Sequence, residues 1–154
     1  VPPDVSLQQL NIAICEQNLS SCQFCTAAYC VLDVSTLRLT YARAGHPEPI
    51  LIRADGSANS LASPGSLLGV FPEETYTSAS VDLARGDRVV LYTDGLEDIL
   101  ADSTGQGQSL SERLVGLRHR PREEMLLQLA AWIDQQPGGT RADDDVTVVV
   151  LDVG

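Results

Sequence analysis

The sequence predicts an α+β fold, in which one helix precedes an antiparallel set of strands, further helices and a last strand. Three observations support this prediction. Apolar residues recur at helical spacing near the start of the 154-residue chain, a hairpin pattern follows, and two nearly continuous apolar runs lie near residue 90 and near residue 150. No internal repeat or domain-scale linker interrupts this order, so we expect one domain covering residues 1–154.

The first third of the chain is predicted to form a helix followed by a pair of strands. An amphipathic helix is predicted over residues 4–18, started and capped by Pro2-Pro3-Asp4. Residues 26–33 and 37–44 are rich in β-branched, aromatic and aliphatic residues around a short polar turn, which predicts a hairpin. The apolar residues that define the helix are Val5, Leu7, Leu10, Ile12, Ile14 and Leu19.

Turns then alternate with strands up to residue 93. Two prolines in the run 45–49 must break the sheet, after which residues 49–54 resume as a strand. Asp55-Gly56 is a strong tight-turn signal, because such turns favour residues that tolerate positive φ. Residues 75–83 alternate well enough for another strand, and Arg85-Gly86-Asp87 marks the turn that follows it.

The most apolar strands come next and at the end of the chain. Residues 88–93 contain a nearly continuous apolar run, typical of a strand covered on both faces, which places the centre of the sheet there. A short helix over 96–101 and a flexible loop over 103–109 follow. Two further helices are predicted over 110–118 and 121–136, before a last apolar strand over 146–153.

Composition argues against nucleic acid and membrane partners. The formal net charge is −11 at pH 7, which repels phosphate backbones and anionic lipid surfaces. No uninterrupted apolar stretch is long enough to span a bilayer. No leader or other targeting signal is recognisable, so we expect a cytoplasmic location. Because Met125 is the only methionine, we also expect these residues to be part of a longer protein.

Four cysteines lie within a short stretch: Cys15, Cys22, Cys25 and Cys30. Cys22 and Cys25 form a C-x-x-C pair. Zinc sites of this kind usually add a second pair or spaced histidines, whereas the two histidines here lie far away in sequence. Free cysteine behaves as a small buried hydrophobe, so we expect structural thiols. Zinc and a regulatory disulfide are the alternatives.

Two acidic motifs adjoin the two most apolar strands. Asp94 follows the first strand in Tyr92-Thr93-Asp94-Gly95, and Asp144 lies in Asp143-Asp144-Asp145 before the second. A sheet fixes the backbone of a carboxylate at a strand end, which suits oxygen ligands of Mg²⁺ or Mn²⁺. Structural roles compete with this hypothesis, since Asp94 and Glu97 have the spacing of a capping box, and the aspartate run can be a solvated turn that protects an aggregation-prone strand.

Other catalytic schemes have less support. The serine in Gly65-Ser66-Leu67-Leu68-Gly69 is adjacent to the first glycine, so this run is not a nucleophile elbow. His46, between Gly45 and Pro47, could act as a general acid. A loop histidine bonded to backbone is the structural interpretation of the same residue.

The order of several motifs resembles one family. These motifs are residues 37–47, Ser66-Leu67-Leu68-Gly69-Val70, the segment 83–95 that ends in Thr93-Asp94-Gly95, and Asp143-Asp144-Asp145-Val146-Thr147. Together they cover nearly the whole chain and resemble the SpoIIE/RsbU-type phosphatases, which belong to the metal-dependent, protein phosphatase 2C-like superfamily.

The resemblance implies an αββα sandwich of largely antiparallel sheets flanked by helices, with a binuclear Mn²⁺ or Mg²⁺ centre that hydrolyses phosphoserine or phosphothreonine. Asp94 corresponds to the metal ligand of the family's Thr-Asp-Gly motif, and Asp144 to the first aspartate of its Asp-Asp-x-Thr motif, with Gly95 and Asp145 as secondary candidates. Metal-activated water is the implied nucleophile, without a catalytic side chain. The implied partners are a phosphorylated anti-anti-sigma-like protein and an upstream receiver or other sensory domain, and a homodimer is compatible with the resemblance.

The family's earlier metal-binding motifs, an early aspartate and an Asp-x-Ser-Gly-His-Gly-like segment, precede the first helix in the family and have no match here. Either they lie upstream of residue 1, or the natural protein is degenerate at its metal site. Two aspartates supply too few oxygens for two hard cations, which predicts weak or absent metal binding by these residues alone. A phosphatase output domain is the first functional hypothesis. A non-catalytic pseudophosphatase or adaptor that binds a sigma factor or its regulator is the second, and a zinc-stabilised interaction module is the third.

Overall fold

A computed structural model of the chain describes residues 1–17, 24–96, 109–135 and 145–154. These residues form two compact units, the first from Val1–Glu48 and Ala62–Leu83, the second from Pro49–Leu61 and Ala84–Gly154. Among the described residues, none of the helices combines the length and the apolar character that crossing a bilayer requires. The elements are α1 (Pro3–Glu16), β1 (Ala27–Asp33), β2 (Arg38–Ala44), β3 (Ile50–Ile52), β4 (Ala58–Ser60), β5 (Ala79–Asp82), β6 (Arg88–Tyr92), α2 (Leu110–Gly116), α3 (Arg122–Asp134) and β7 (Val148–Asp152).

The first unit packs α1 on an antiparallel sheet of order β1-β2-β5. The predicted hairpin is confirmed, with Ala27 opposite Ala44 and Asp33 opposite Arg38. Burial of apolar side chains between the helix and the sheet stabilises this unit. Its buried core consists of Leu7, Ala42, Ala44, Leu68 and Tyr76.

The buried face of α1 differs from the predicted one. Leu7 is buried as expected, but Val5, Leu10 and Ile12 are 40, 45 and 41% exposed. The face instead contains Asn11, which is fully buried. Its burial is tolerated because both ends of its amide group are hydrogen-bonded. Its Nδ2 donates to the Phe71 carbonyl at 2.9 Å, and its Oδ1 accepts from the Gly69 amide at 2.8 Å. Apolar spacing could not reveal a face with a polar residue at its centre.

The start of α1 also differs from the prediction. Pro2 occupies the N-cap position without a side-chain cap bond. Asp4 bonds outside the helix, since its backbone amide donates to the Ser78 hydroxyl at 3.1 Å and its Oδ1 accepts from that hydroxyl at 2.5 Å. The acid therefore ties the helix to the residue just before β5 rather than capping the helix itself.

The second unit has an antiparallel sheet of order β4-β3-β6-β7 together with α2 and α3. The predicted central strand is confirmed as β6, which lies between β3 and β7 and has four of its five residues buried. Apolar side chains of β3, β6, α2 and α3, together with Leu96 after β6 and Leu117 after α2, form one buried cluster: Ile50, Ile52, Val90, Tyr92, Leu96, Leu114, Leu117, Met125 and Leu129.

Several predicted elements are shorter or additional in the structure. The strand expected over 75–83 is reduced to Ala79–Asp82, and β4 was not predicted because Ala58-Asn59-Ser60 has no apolar alternation. Residues 94–96 are helical, while the rest of the predicted helix 96–101 and residues 103–108 of the predicted loop lie outside the described residues.

A buried arginine fixes the register of β6 against β7. Arg88 is directly opposite Asp152 in the ladder. Its Nε and Nη2 donate to the two carboxylate oxygens at 2.5 and 3.0 Å, and Nη2 also donates to the Arg120 carbonyl at 3.1 Å. Because a one-residue slip would break this two-pronged contact, the pair specifies which residues meet at the other end of the two strands.

Candidate metal centre

The carboxyl end of β6 and the amino end of β7 share one edge of the second sheet. The strands are antiparallel, and Tyr92 opposite Val148 is the last pair of their ladder. Thr93 and Asp94 therefore continue from β6 at the same edge where residues 145–147 lead into β7. This pairing brings Asp94 to the same edge as Asp145, the described member of the second acidic motif, although the two residues are about 50 positions apart in sequence.

Thr93 connects these two segments through three hydrogen bonds. Its backbone amide donates to the Thr147 carbonyl at 3.1 Å. Its hydroxyl donates to the Asp145 carbonyl at 3.2 Å and accepts from the Thr147 amide at 2.9 Å. The main chain beside Asp94 is thus fixed against the main chain of the second acidic motif.

Asp94 is held by buried neighbours while its own side chain stays exposed. Tyr92 and Leu96 are 5 and 0% exposed and belong to the core of the second unit. The Gly95 amide donates to Asp94 Oδ1 at 3.1 Å, which orients the carboxylate. A fixed backbone and an exposed carboxylate are what a ligand of a hard cation requires.

The structure locates three of the four predicted site residues. Asp94, Gly95 and Asp145 lie at the common edge, and Asp145 is exposed like Asp94. Asp144 and Glu97, and with Glu97 the capping-box hypothesis, lie outside the described residues. The assignment of Asp94 and Asp144 as metal ligands therefore stays a prediction.

The carboxylates of Asp94 and Asp145 are suitable in kind as ligands of Mg²⁺ or Mn²⁺, because both cations prefer hard oxygen ligands. Within residues 1–17, 24–96, 109–135 and 145–154, no group of three or more His, Cys, Asp or Glu side chains is arranged to hold a metal ion. The acids that the structure describes at this edge are Asp94 and Asp145.

Cys15, Cys25, Cys30 and His46 lie in the first unit. Cys15, Cys25 and Cys30 have free thiols, and burial raises the pKa of the Cys30 thiol. Cys22 lies outside the described residues. His46 Nδ1 lies 3.1 Å from the Thr26 hydroxyl, so its ring contacts a side chain next to β1.

Thr93 is the site residue whose role sequence reasoning missed. In the sequence it is only the residue of the motif that precedes Asp94. The available signal was its position, since a hydroxyl at the end of a strand can replace a backbone acceptor in a ladder.

Comparison with known proteins shows the family to which the chain is similar. The family described as Stage II sporulation protein E (SpoIIE) matches residues 1–154. Phosphoserine phosphatase RsbP of Bacillus subtilis (strain 168) is 25% identical over 130 residues, which are 84% of this chain and 31% of that protein. Phosphoserine phosphatase RsbU of the same organism is 30% identical over 99 residues, which are 64% of this chain and 29% of that protein. The chain therefore spans less than a third of either relative.

Among solved structures, the phosphatase domain of the cell fate determinant SpoIIE from Bacillus subtilis, presoaked with Mn, superposes with a TM-score of 0.69 at 17% identity. The match covers 97% of this chain and 64% of that one. Together with the two antiparallel sheets and their helices, this likeness confirms the predicted fold class, an α+β fold of the protein phosphatase 2C type.

Proposed function

The chain belongs to the family described as Stage II sporulation protein E (SpoIIE), and from this membership we propose that it is the C-terminal portion of a metal-dependent protein phosphatase domain. The proposed reaction is hydrolysis of phosphoserine or phosphothreonine in a regulatory protein. The observation that supports it most is the bonding of Thr93 to Asp145 and Thr147, which holds the Asp94 motif beside the second acidic motif. The two Bacillus relatives, both named phosphoserine phosphatases, support the reaction type.

Asp94 and Asp144 are the proposed ligands of the divalent cations, with Asp145 as a secondary candidate. Mn²⁺ and Mg²⁺ both prefer carboxylate oxygens, and the related SpoIIE domain structure was presoaked with Mn. When bound, two such ions supply an acidified water as nucleophile and offset negative charge on the phosphoryl oxygens. The contribution of this chain is to present its carboxylates from a rigid sheet edge.

The remaining ligands are proposed to come from a segment upstream of residue 1. Two carboxylates cannot satisfy two cations that each take about six oxygens. The chain spans 64% of the SpoIIE phosphatase domain that it superposes on, which is consistent with a further segment completing the domain.

The proposed substrate is a phosphorylated regulator of the anti-anti-sigma type, with an upstream receiver or other sensory domain controlling the activity. The family resemblance supports this substrate class. A protein substrate also fits a site at an exposed sheet edge, because Asp94 and Asp145 are both accessible. A phosphorylated residue on a flexible segment could reach such an edge.

The test replaces each proposed ligand by its neutral isostere in the full-length protein. Asp94→Asn and Asp144→Asn should each lower Mn²⁺-dependent release of phosphate from a phosphoserine protein by roughly 100-fold or more. Loss of a residue that only hydrogen-bonds a metal ligand can already cost roughly 100-fold, and loss of the ligand itself should cost at least as much. Circular dichroism should show an unchanged fold. Asp82→Asn is the matched control, because it neutralises another exposed strand-end carboxylate, 74% exposed at the end of β5.

Unchanged activity in both ligand variants would defeat the site assignment. Loss of folding in them would mean that capping or turn formation is the main role of these acids. If the full-length wild-type protein releases no phosphate but binds a sigma factor or its regulator, the adaptor hypothesis replaces the phosphatase.

A further inference from the structure

The ladder between β6 and β7 ends in an unusual way at Thr93. In an antiparallel hydrogen-bonded pair, two opposite residues normally exchange both of their N–H···O=C bonds. Thr93 and Thr147 make one of these bonds, from the Thr93 amide to the Thr147 carbonyl at 3.1 Å. In the other, the Thr147 amide donates to the Thr93 hydroxyl at 2.9 Å, so a side-chain oxygen acts where a backbone carbonyl would.

The Thr93 carbonyl has a different partner. It accepts from the Leu96 amide at 3.0 Å, the bond that closes the first turn after the strand. Leu96 is fully buried in the core of the second unit, which anchors this turn. The chain can therefore leave β6 immediately after Thr93, and Asp94 becomes the first helical residue at the sheet edge.

The same hydroxyl also reaches the second acidic motif. It donates its proton to the Asp145 carbonyl at 3.2 Å while it accepts from Thr147. A hydroxyl is suited to this position because it is donor and acceptor at once. Its two bonds hold both ends of the segment 145–147, which leads into β7. Asp145 is the immediate neighbour of Asp144 in sequence.

We propose that Thr93 is a positioning residue for the metal centre. Its hydroxyl replaces its own carbonyl in the ladder, which lets the carbonyl start the turn carrying Asp94 and fixes the main chain of the second acidic motif beside that turn. This inference rests on the proposed function, because it assigns the purpose of the arrangement to metal binding by Asp94 and Asp144.

Thr93→Val is the decisive variant, since valine has the shape of threonine without a donor or an acceptor. In the full-length protein it should weaken Mn²⁺ affinity, measured by calorimetry without substrate, by about 10-fold or more. Amide hydrogen exchange at Thr147 should become faster at the same time. Thr93→Ser, which keeps the hydroxyl, should retain Mn²⁺ affinity within about threefold of wild type and should keep the Thr147 amide protected.

Thr40→Val is the matched control. The Thr40 hydroxyl lies 3.1 Å from the Ser80 hydroxyl on the sheet of the first unit, so this variant removes a hydrogen-bonded threonine hydroxyl from the unit that does not contain Thr93. It should leave both Mn²⁺ affinity and Thr147 exchange as in wild type.

The inference is overturned if Thr93→Val keeps wild-type Mn²⁺ affinity, or if Thr93→Ser loses as much affinity as Thr93→Val. Should Thr93→Val fail to fold, the wild-type protein still decides the geometry, because an unprotected Thr147 amide would contradict the hydroxyl bond. If Asp94→Asn abolishes Mn²⁺ binding but Thr93→Val does not, only the role of Thr93 fails. If Asp94→Asn binds Mn²⁺ normally, the proposed function fails instead.

Discussion

At the scale of single residues, Asp87 shows how a buried charge supports the sheet that carries the candidate site. Its side chain is 2% exposed. It accepts from Arg53 Nη1 at 2.7 Å and from the Ala84 and Ala54 amides at 2.9 and 3.1 Å. These donors converge on one carboxylate directly before β6. The residue therefore sets the start of the strand whose other end carries Asp94.

Asp87→Asn should lower the free energy of unfolding by about 3 kcal/mol, because an amide NH₂ would face donors in a buried position and the ion pair between Arg53 and Asp87 would be lost. Urea unfolding measures the change. Asp82→Asn is the control, since its ion pair with Arg38 joins side chains that are 74 and 55% exposed, and it should cost less than about 1 kcal/mol. Equal stability of the two variants would contradict a supporting role for Asp87.

Residue types alone indicated Asp94 but gave no reason to single out Thr93 or Asn11. A carboxylate after an apolar strand is a recognisable ligand candidate. The roles of both residues depend on partners far along the chain. The Thr93 hydroxyl substitutes for a carbonyl by accepting from the Thr147 amide. Asn11 can be buried because Phe71 and Gly69 bond its amide group. Such roles emerge only when those partners are in place.

At the scale of elements, the hairpin of β1 and β2 depends on the turn at Asp33. Its Oδ1 accepts from the Ser35 hydroxyl at 2.6 Å and from the Ser35 and Thr36 amides at 2.8 and 3.2 Å. These bonds, that of the Ser35 hydroxyl above all, hold the pKa of the Asp33 carboxyl below its ordinary value of 3.8. The ionised form of Asp33 is therefore the one that stabilises the turn.

Because the pKa of Asp33 is lower in the folded state, its stabilising effect is complete above pH 3.8 and is lost as pH falls through the folded-state pKa. The difference in free energy of unfolding between wild type and Asp33→Asn should therefore shrink as the pH is lowered below 3.8. Nuclear magnetic resonance titration of the Asp33 carboxyl checks the cause, and Ser35→Ala should raise its midpoint toward 3.8. A midpoint at or above 3.8 in wild type would contradict the turn geometry.

The elements that sequence predicted well are those with strong local signals. The hairpin and β6 have dense β-branched and apolar residues, and the turn at Gly56 has the φ of +91° that its Asp-Gly pair favours. β4 was missed because it is short and polar, and it forms by pairing Ala58–Ser60 with β3 across that turn. Its strand conformation follows from the partner strand rather than from its own residues.

At the scale of the whole molecule, the candidate site is a product of long-range pairing. Arg88 and Asp152 lie 64 residues apart and fix the register that brings Thr93 opposite Thr147. Sequence could identify both acidic motifs and their order, which suffices for the family. It could not show that they share one edge, because the pairing of β6 with β7 depends on contacts across the intervening chain.

That Asp94 and Asp144 form one part of a two-metal centre is tested most directly by calorimetric titration with Mn²⁺. The full-length protein should bind two ions, its Asp94→Asn variant should lose that binding, and these 154 residues alone should bind weakly or not at all, because two carboxylates supply too few oxygens. Tight binding of two Mn²⁺ ions by the 154 residues, or undiminished binding by the full-length Asp94→Asn variant, would contradict the assignment.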